Sequence, residues 1–415
     1  MRPSSQPPAT PPAGAAAPSA ASAEHTLPLF ALMAAVLVVF AAANAPVPIY
    51  PIWQHAMGFA PGTIGVIFVF YNLGVLLALL CCGRLSDLYG PRLVLLPALV
   101  LAVAAALLFA FAPNVAVLCV ARFLIGLASG GCVSAGTAAI LLAGRRRGIG
   151  HISLYATLSV VLGFGLGPLT AGALASFAPA PSRLVFVLLA GLLAALLLVL
   201  ARTLPPLRRP SQSSRIWQMP RLPSDNRPIL VTAIVIFAGP FALSALFISL
   251  APSMLADLLH NDSPIVAGAA AFLVFASGGL GGIFARKLTV WRSAWLSLAL
   301  ALSSLALVLL SELSVSLPLF ALAAAAAGIA QSVGQYTGVQ LVNRHTPEEI
   351  LGSVNATFFL GGYGTAGLAV LSMGFASNAF GLFAGSLVFG AICLVMFIAA
   401  IFGVATTRLV PADGT

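Results

Sequence analysis

Long apolar runs alternate with short polar breaks along the whole chain. About 20 consecutive apolar residues suffice to carry a helix across the hydrocarbon of a bilayer. Twelve runs of that kind can be read, at 27–50, 63–82, 93–111, 115–142, 152–177, 184–204, 229–251, 265–285, 293–310, 317–342, 350–376 and 381–404. The third run, LVLLPALVLAVAAALLFAF, and the sixth, LVFVLLAGLLAALLLVL, hold no polar side chain and are expected to face lipid. Other runs carry polar residues: Asn44 in the first, Tyr71 and Asn72 in the second, Arg122 in the fourth, Ser244 and Ser249 in the seventh. The tenth has Gln331, Gln335, Tyr336 and Gln340, and the eleventh Asn355 and Tyr363. Gln331 and Gln335 lie one turn apart on a shared face, as do Tyr336 and Gln340. From this set Asn44, Tyr71, Asn72, Arg122, Ser244, Gln331, Gln335, Tyr336 and Tyr363 are the expected lining of a substrate cavity. For the glutamines, hydrogen bonding between helices is an equal alternative.

Composition turns this pattern into a class. With 60% hydrophobic and 7% charged residues over 415 positions and a mean hydropathy of +1.09, the chain exceeds what a soluble domain can hide from water. An all-α polytopic membrane protein follows. Of the 19 Lys and Arg residues, 17 fall in the tails or in breaks that open on one side, leaving only Arg122 inside a run and Arg183 on the other side. Basic residues stay on the cytoplasmic side during insertion, so both termini are expected to be cytoplasmic. The net charge of +10 is then a mark of topology, and no nucleic-acid partner is expected.

Residues 1–26, rich in Pro, Ala and Ser, are expected to form a disordered cytoplasmic tail. They lack the basic start and clear cleavage site of a secretory signal, so the first run is expected to remain. A linker at 205–228 separates two six-helix halves, 27–204 and 229–404, with a tail at 405–415. The halves look duplicated: the first and seventh runs, the fourth and tenth, and GRLSD at Gly83 with GIFAR at Gly282 are each about two hundred residues apart. Parallel repeats of this kind are an architecture of secondary transporters, whose substrate site lies at the repeat interface near the membrane midplane.

The segment GRLSDLYGPR, between the second and third runs, carries Gly83, Arg84, Leu85, Asp87, Gly90 and Arg92. It resembles the loop signature of the major facilitator superfamily, G-x-L-x-D-r-x-G-r-r/k, and the resemblance extends over the chain beyond residue 26. Arg122, Gly126 and Gly130 in ARFLIGLASGG are similar to the fourth-helix R-x-x-x-G motif of the bacterial twelve-helix drug-efflux branch. Gly163, Gly167, Pro168 and Gly172 in GFGLGPLTAG are similar to the antiporter motif of the fifth helix, with Ala171 replacing one glycine and Leu154 standing where an earlier glycine is often found. The resemblance implies the major facilitator fold of two pseudo-symmetric six-helix bundles. It also implies a secondary active exporter of small organic molecules working by alternating access in the bacterial inner membrane, with a monomer expected. In that family the aspartate engages neighbouring arginines and the start of the eleventh helix, which makes Gly83, Arg84, Asp87, Gly90 and Arg92 a conformational latch. Here the eleventh helix opens with TPEE, in which Pro347 suits the first helical position, and Glu348 and Glu349 would set like charge against Asp87. Arg84 or Arg92 bridging to those glutamates is the expected variant. The second-half counterpart GGIFARKLTVWR has Ala285 near the aspartate position, so one latch looks complete.

An arginine two turns inside a membrane helix needs a partner or water, which makes Arg122 a functional candidate. Relatives that use a first-helix acid to carry the coupling proton place it near this level, where this chain has Asn44, which does not titrate. All nine Asp and Glu fall at ends, breaks or tails. Asp257, or a histidine among His55, His151 and His260, is then the remaining proton site. The alternatives are a uniporter, or an organic-anion transporter with Arg122 as the substrate-binding cation. Five scattered cysteines without C-x-x-C or Cys/His spacing read as apolar fillers, so neither metal nor disulfide is expected. No GxxxxGK[ST] sequence is present, no cofactor is expected, and no cluster of residues suggests an enzyme.

Overall fold

Each apolar run is a helix in a computed structural model that describes residues 28–204 and 227–406. The expected tail 1–26, the linker as far as residue 226 and residues 407–415 lie outside the described residues, as do the side chains of Arg84, Asp87, Glu348 and Glu349. In chain order the helices are α1 (Leu29–Met57), α2 (Gly62–Tyr89), α3 (Arg92–Ala110), α4 (Val115–Arg146), α5 (Ile152–Phe177) and α6 (Pro181–Thr203). The second half has α7 (Arg227–Ser249), α8 (Pro264–Ala285), α9 (Val290–Ser314), α10 (Leu317–His345), α11 (Glu348–Phe380) and α12 (Leu382–Thr406). No strand occurs among the described residues. The face where α1 begins and α12 ends is called the terminal face below.

Local chemistry explains where these helices depart from simple rods. α1 is regular to Asn44, then tightens into a 3₁₀ turn at Val47–Ile49 and resumes at Tyr50–Met57. Pro46, Pro48 and Pro51 enforce the break, because each removes a backbone donor from the helical ladder. α4 contains a π-helical turn at Cys132–Gly136. α7 is followed by a short helix at Ala251–Asp257.

The segment between the second and third runs is not a loop. α2 continues through GRLSDLY to Tyr89, and the chain turns only at Gly90, with φ 87° and ψ 165°. A Cβ is strongly disfavoured in that region, which is essentially reserved for glycine. Gly83 lies inside the helix, and a Cβ there would meet nothing within 4 Å, so close approach is not its role. Arg92 opens α3 and donates from Nη1 to Leu204 O (2.7 Å) and from Nη2 to Ala201 O (3.0 Å). It thus caps the C-terminal end of α6, where carbonyls lack helical partners and the helix dipole attracts a cation.

Packing repeats with a period of six helices. α2 lies on α4 as α8 on α10; α3 on α4 and α6 as α9 on α10 and α12; α1 on α5 and α6 as α7 on α11 and α12. The two halves meet through α2 against α11 and α5 against α8, again a symmetric exchange. α1 and α7 are the most buried spans, at 72% and 78%, whereas α6 and α12 are at 33%. The inner pair therefore frames the middle of the molecule. Exposed flanks of α3 (Val100, Leu107) and α6 (Leu188, Leu192, Leu198) are apolar, as a lipid-facing surface requires.

Candidate functional site

α2 and α4 approach each other closely because Gly74 and Gly126 face one another. A Cβ on Gly126 would collide with Tyr71 O, and one on Gly74 with Phe123 O. Gly130 seats the next turn against Ala78 and Val75. The glycines of ARFLIGLASGG thus bring Arg122 under the second helix.

Arg122 is 1% exposed. Its Nε donates to Tyr50 Oη (2.7 Å) and its Nη1 to Ala43 O (2.5 Å), tying α4 to both parts of α1. Rings of Tyr50, Tyr71 and Phe109 surround the guanidinium with centroids at 5.3, 5.7 and 6.0 Å. Such faces stabilise a desolvated cation. Nη2 is buried and has no hydrogen-bond partner among the described residues. Asn44 is also buried and donates from Nδ2 to Phe40 O (3.3 Å), a bond within its own helix. Tyr50, which completes this node, was not legible as a partner in the sequence, because Pro46 and Pro48 break the helical register between it and Ala43. Its signal was its position seven residues beyond Ala43, on a chain that had to turn back at the membrane edge.

Beside Tyr71, Asn72 points to the seam with α11, where its Nδ2 lies 3.7 Å from the Cβ position of Gly367. It is 4% exposed, yet neither Nδ2 nor Oδ1 has a hydrogen-bond partner among the described residues. Across the seam Tyr363 lies one turn of α11 before Gly367. Tyr363 is held edge-on by Phe237 (5.8 Å, 87°) and Phe241 (4.7 Å, 85°), with Phe359 stacked at 6.1 Å. The seam therefore brings together Tyr71, Asn72 and Tyr363, with Arg122 behind Tyr71.

Other expected lining residues are distributed differently. Ser244 is fully buried and donates to Ala327 O (3.2 Å), fastening α7 to α10. On α10, Gly328 and Ser332 meet α8 while Gly334 and Gly338 meet α7. Gln331 and Gln335 fall between those two contacts, half-buried and without hydrogen bonds to other described residues. Tyr336 lies beyond the α8 contact, on a different flank from Gln331. Asp257, His55, His151 and His260 are exposed. Among the described residues no group of three or more His, Cys, Asp or Glu could hold a metal ion, and all five cysteines are free.

The motif of the fifth helix occupies both sides of α5. Gly163 and Gly167 seat it on α1, against Leu37 O and Ala41 O. Pro168 O and Gly172 face Gly268 and Pro264 O of α8, so this end of the motif is a contact between halves. Deeper, Phe164 stacks on Phe275 of α8 (4.7 Å, 13°) and touches Phe40 (4.4 Å).

These seams are tightest at the face opposite the termini. There Gly62 of α2 abuts Gly374 of α11, and Gly62 N donates to Asn378 Oδ1 (2.9 Å). Asn378 supplies from the other half the cap that Pro61 cannot give. Toward the terminal face α2 and α11 part around a cleft lined by Leu76, Leu79, Leu80, Gly352, Asn355, Ala356, Phe359 and Leu360. Asn355 bridges to Asn343 (3.3 Å) through Nδ2, and its Oδ1 has no partner among the described residues. Neither Asn378 nor Glu312, a buried acid on α9, stood out in the sequence, since each sits near a helix end where polarity is ordinary.

Comparison with known proteins fits this architecture. Residues 32–295, more than half of the chain, match the family model of the Major Facilitator Superfamily. A stretch of 71 residues is 45% identical to YncC of Bacillus subtilis (strain 168), whose name places it in metabolite transport; it covers 17% of this chain and 15% of that protein. Among solved structures, a POT family transporter in complex with a thioalcohol-conjugated peptide superposes with a TM-score of 0.72 at 12% identity, over 90% of this chain and 94% of that one. A D-xylose-proton symporter gives 0.68 at 14% identity, over 90% and 96%. The nucleoside transporter NupG gives 0.65 at 13%, over 90% and 99%. At such identities the likeness is one of fold, and the proteins concerned are transporters, not enzymes. With twelve spanning helices in two six-helix repeats and a family match over most of its length, the chain belongs to the Major Facilitator Superfamily and is a multi-pass membrane protein of the secondary-transporter kind.

Proposed function

We propose that this protein exports small organic molecules across a bacterial inner membrane by alternating access, with both termini in the cytoplasm. One observation carries the reading: the halves are sealed at the face opposite the termini, by Gly62, Gly374 and Asn378, while a cleft parts α2 from α11 toward the terminal face. Rocking about the α5–α8 and α2–α11 seams would exchange these arrangements. A substrate entering from the terminal side would meet Leu76 and Phe359, then Asn72, Tyr71 and Tyr363 near mid-depth, with Gln331 and Gln335 on the facing helix. Aromatic faces and unsatisfied amides suit a mostly apolar molecule bearing a few hydrogen-bonding groups. Export as the direction rests on the motifs of α4 and α5. The latch of Asp87, Arg84 and Arg92 with Glu348 and Glu349 would engage when the terminal face shuts. Arg92, bound to the end of α6 here, is then the member that stays within its half.

The unpartnered Nη2 of Arg122 favours a second reading, in which an anionic group is recognised by that cation. Asp257 would carry the coupling proton if the end of the short helix after α7, where it is exposed, lines the outward path.

Efflux from proteoliposomes loaded with cationic, neutral and anionic dyes, with and without a pH gradient, tests these readings. Gradient-driven export of a cationic or neutral dye is the expected result. Gradient-independent equilibration of an anion, lost in Arg122→Ala, would replace it with the anion facilitator. No movement of any dye by wild type would overturn both.

A further inference from the structure

Glu312 lies two residues before the end of α9, at the face opposite the termini, and is 6% exposed. Its Oε1 is 2.7 Å from Ser386 Oγ on α12, and its Oε2 is buried with no hydrogen-bond partner among the described residues. Ser386 Oγ is also 3.2 Å from Leu382 O. A serine hydroxyl has one proton to donate, so with an ionised carboxylate only one of these two contacts is a hydrogen bond. With a carboxylic acid both are: Glu312 donates its proton to Ser386 Oγ, and Ser386 donates to Leu382 O. The 2.7 Å separation is that of an ordinary O–H···O bond.

Among the described residues no cation offsets the alternative. The helices packed on α9 are α7, α10 and α12. Their ionisable residues are Arg227, Arg344 and His345 at the terminal face, Tyr336, and Cys393. α9 itself adds Arg292 at the terminal face, and Asp257, beyond α7, is exposed. The neighbouring Ser311 hydroxyl is engaged by Val308 O (2.6 Å). An ion in this position would be a buried charge with a single hydrogen bond.

The acid is also one step from the seam between halves. Gly385, beside Ser386, packs so tightly on α11 that a Cβ would collide with Ser377 Oγ and lie 2.9 Å from Met373 O. The same turns of α11 carry Gly374 and Asn378, which close on Gly62 of α2.

We propose that Glu312 is a proton-binding site that sets the state of this seam. With its proton in place, α9, α12 and the end of α11 pack as seen here and the seam is shut. When the O–H bond breaks and the proton passes to water at the adjacent face, the carboxylate left behind draws in water. α12 then loosens from α9, and α11 loses its support against α2. The proposal takes the rocking of the halves from the reading above, whereas the proton site itself needs no substrate.

Two measurements on the full chain in liposomes test it. A hydrophobic carbodiimide, which reacts with protonated carboxyls in apolar surroundings, should modify the peptide containing Glu312, and the adduct should fall away as pH rises. Spin labels at Ala60→Cys and Phe380→Cys, exposed residues flanking the seam, in a chain whose native cysteines are replaced, should move apart with rising pH. Glu312→Gln keeps an N–H donor for Ser386, so it should fold and hold the short distance at every pH. An unmodified Glu312, a wild-type distance indifferent to pH, or a Glu312→Gln distance that follows pH as wild type does would overturn the proposal. Because no substrate is used, failure of the dye experiment with these results intact would count against the transport reading alone.

Discussion

Arg122 lies against Tyr71, and Asn72 follows Tyr71 in the chain, yet their unsatisfied atoms have different meanings. Arg122 has two of its donors engaged and three rings around it, so most of its desolvation is offset within the first half. Replacing it by Ala leaves Tyr50 Oη and Ala43 O without their donor, a loss on the order of 2 kcal/mol. Thermal unfolding in detergent should show that drop. Arg122→Lys should recover only part of it, since an ammonium cannot reproduce the fork that reaches both oxygens. Asn72 has nothing to lose by comparison. Its amide is buried without a hydrogen-bond partner among the described residues, so Asn72→Leu should leave stability unchanged or raise it by about 1 kcal/mol. Transport should nonetheless fall if substrate, or the opposite conformation, is what satisfies the amide. Unchanged flux together with unchanged stability would make Asn72 a passive packing residue. At this scale the sequence picked out Arg122 by its rarity in an apolar run. It also showed no acid at that depth, but could not reveal that Tyr50 and a carbonyl would meet the cation.

At the scale of the helix, one ten-residue segment contains two glycines with opposite requirements. Gly83 is helical with open space around its Cβ position, so Gly83→Ala should be neutral or stabilise by about 0.5–1 kcal/mol through better helix propensity. Gly90 holds φ 87°, ψ 165° at the joint of α2 and α3, so Gly90→Ala should cost about 1–3 kcal/mol. Parallel melting curves of the two variants decide this, and equal effects would mean that the joint is not held in that geometry. Gly126→Ala belongs with Gly90. Its Cβ would strike a backbone carbonyl of α2, which cannot swing aside as a side chain can. The sequence placed all twelve helices to within a few residues at most ends, because length and apolarity suffice for that. Less legible was the run of α2 to Tyr89, since a polar, glycine-bearing stretch reads as a loop until its backbone bonds are seen.

For the whole molecule, the seam at the face opposite the termini should respond to a single hydrogen bond. Asn378→Ala removes the cap on Gly62 N, worth about 1 kcal/mol, and should shift the open-to-shut ratio at that face roughly fivefold toward open. Distance distributions between labels at positions 60 and 380 would show it, and an unaltered distribution would mean that glycine packing alone holds the seam. Hydrophobic periodicity, length and the spacing of motifs by themselves determined the class of the molecule, its twelve spans and its two related halves. These properties depend on the cost of exposing apolar surface, which is summed along the chain and needs no knowledge of neighbours. Only tertiary structure decided which polar residues meet. It set Arg92 on the end of α6, Arg122 on Tyr50, Asn378 on Gly62 and Glu312 on Ser386. Each of these contacts joins residues far apart in the chain or across a helix break, and each depends on distances and directions that composition does not encode.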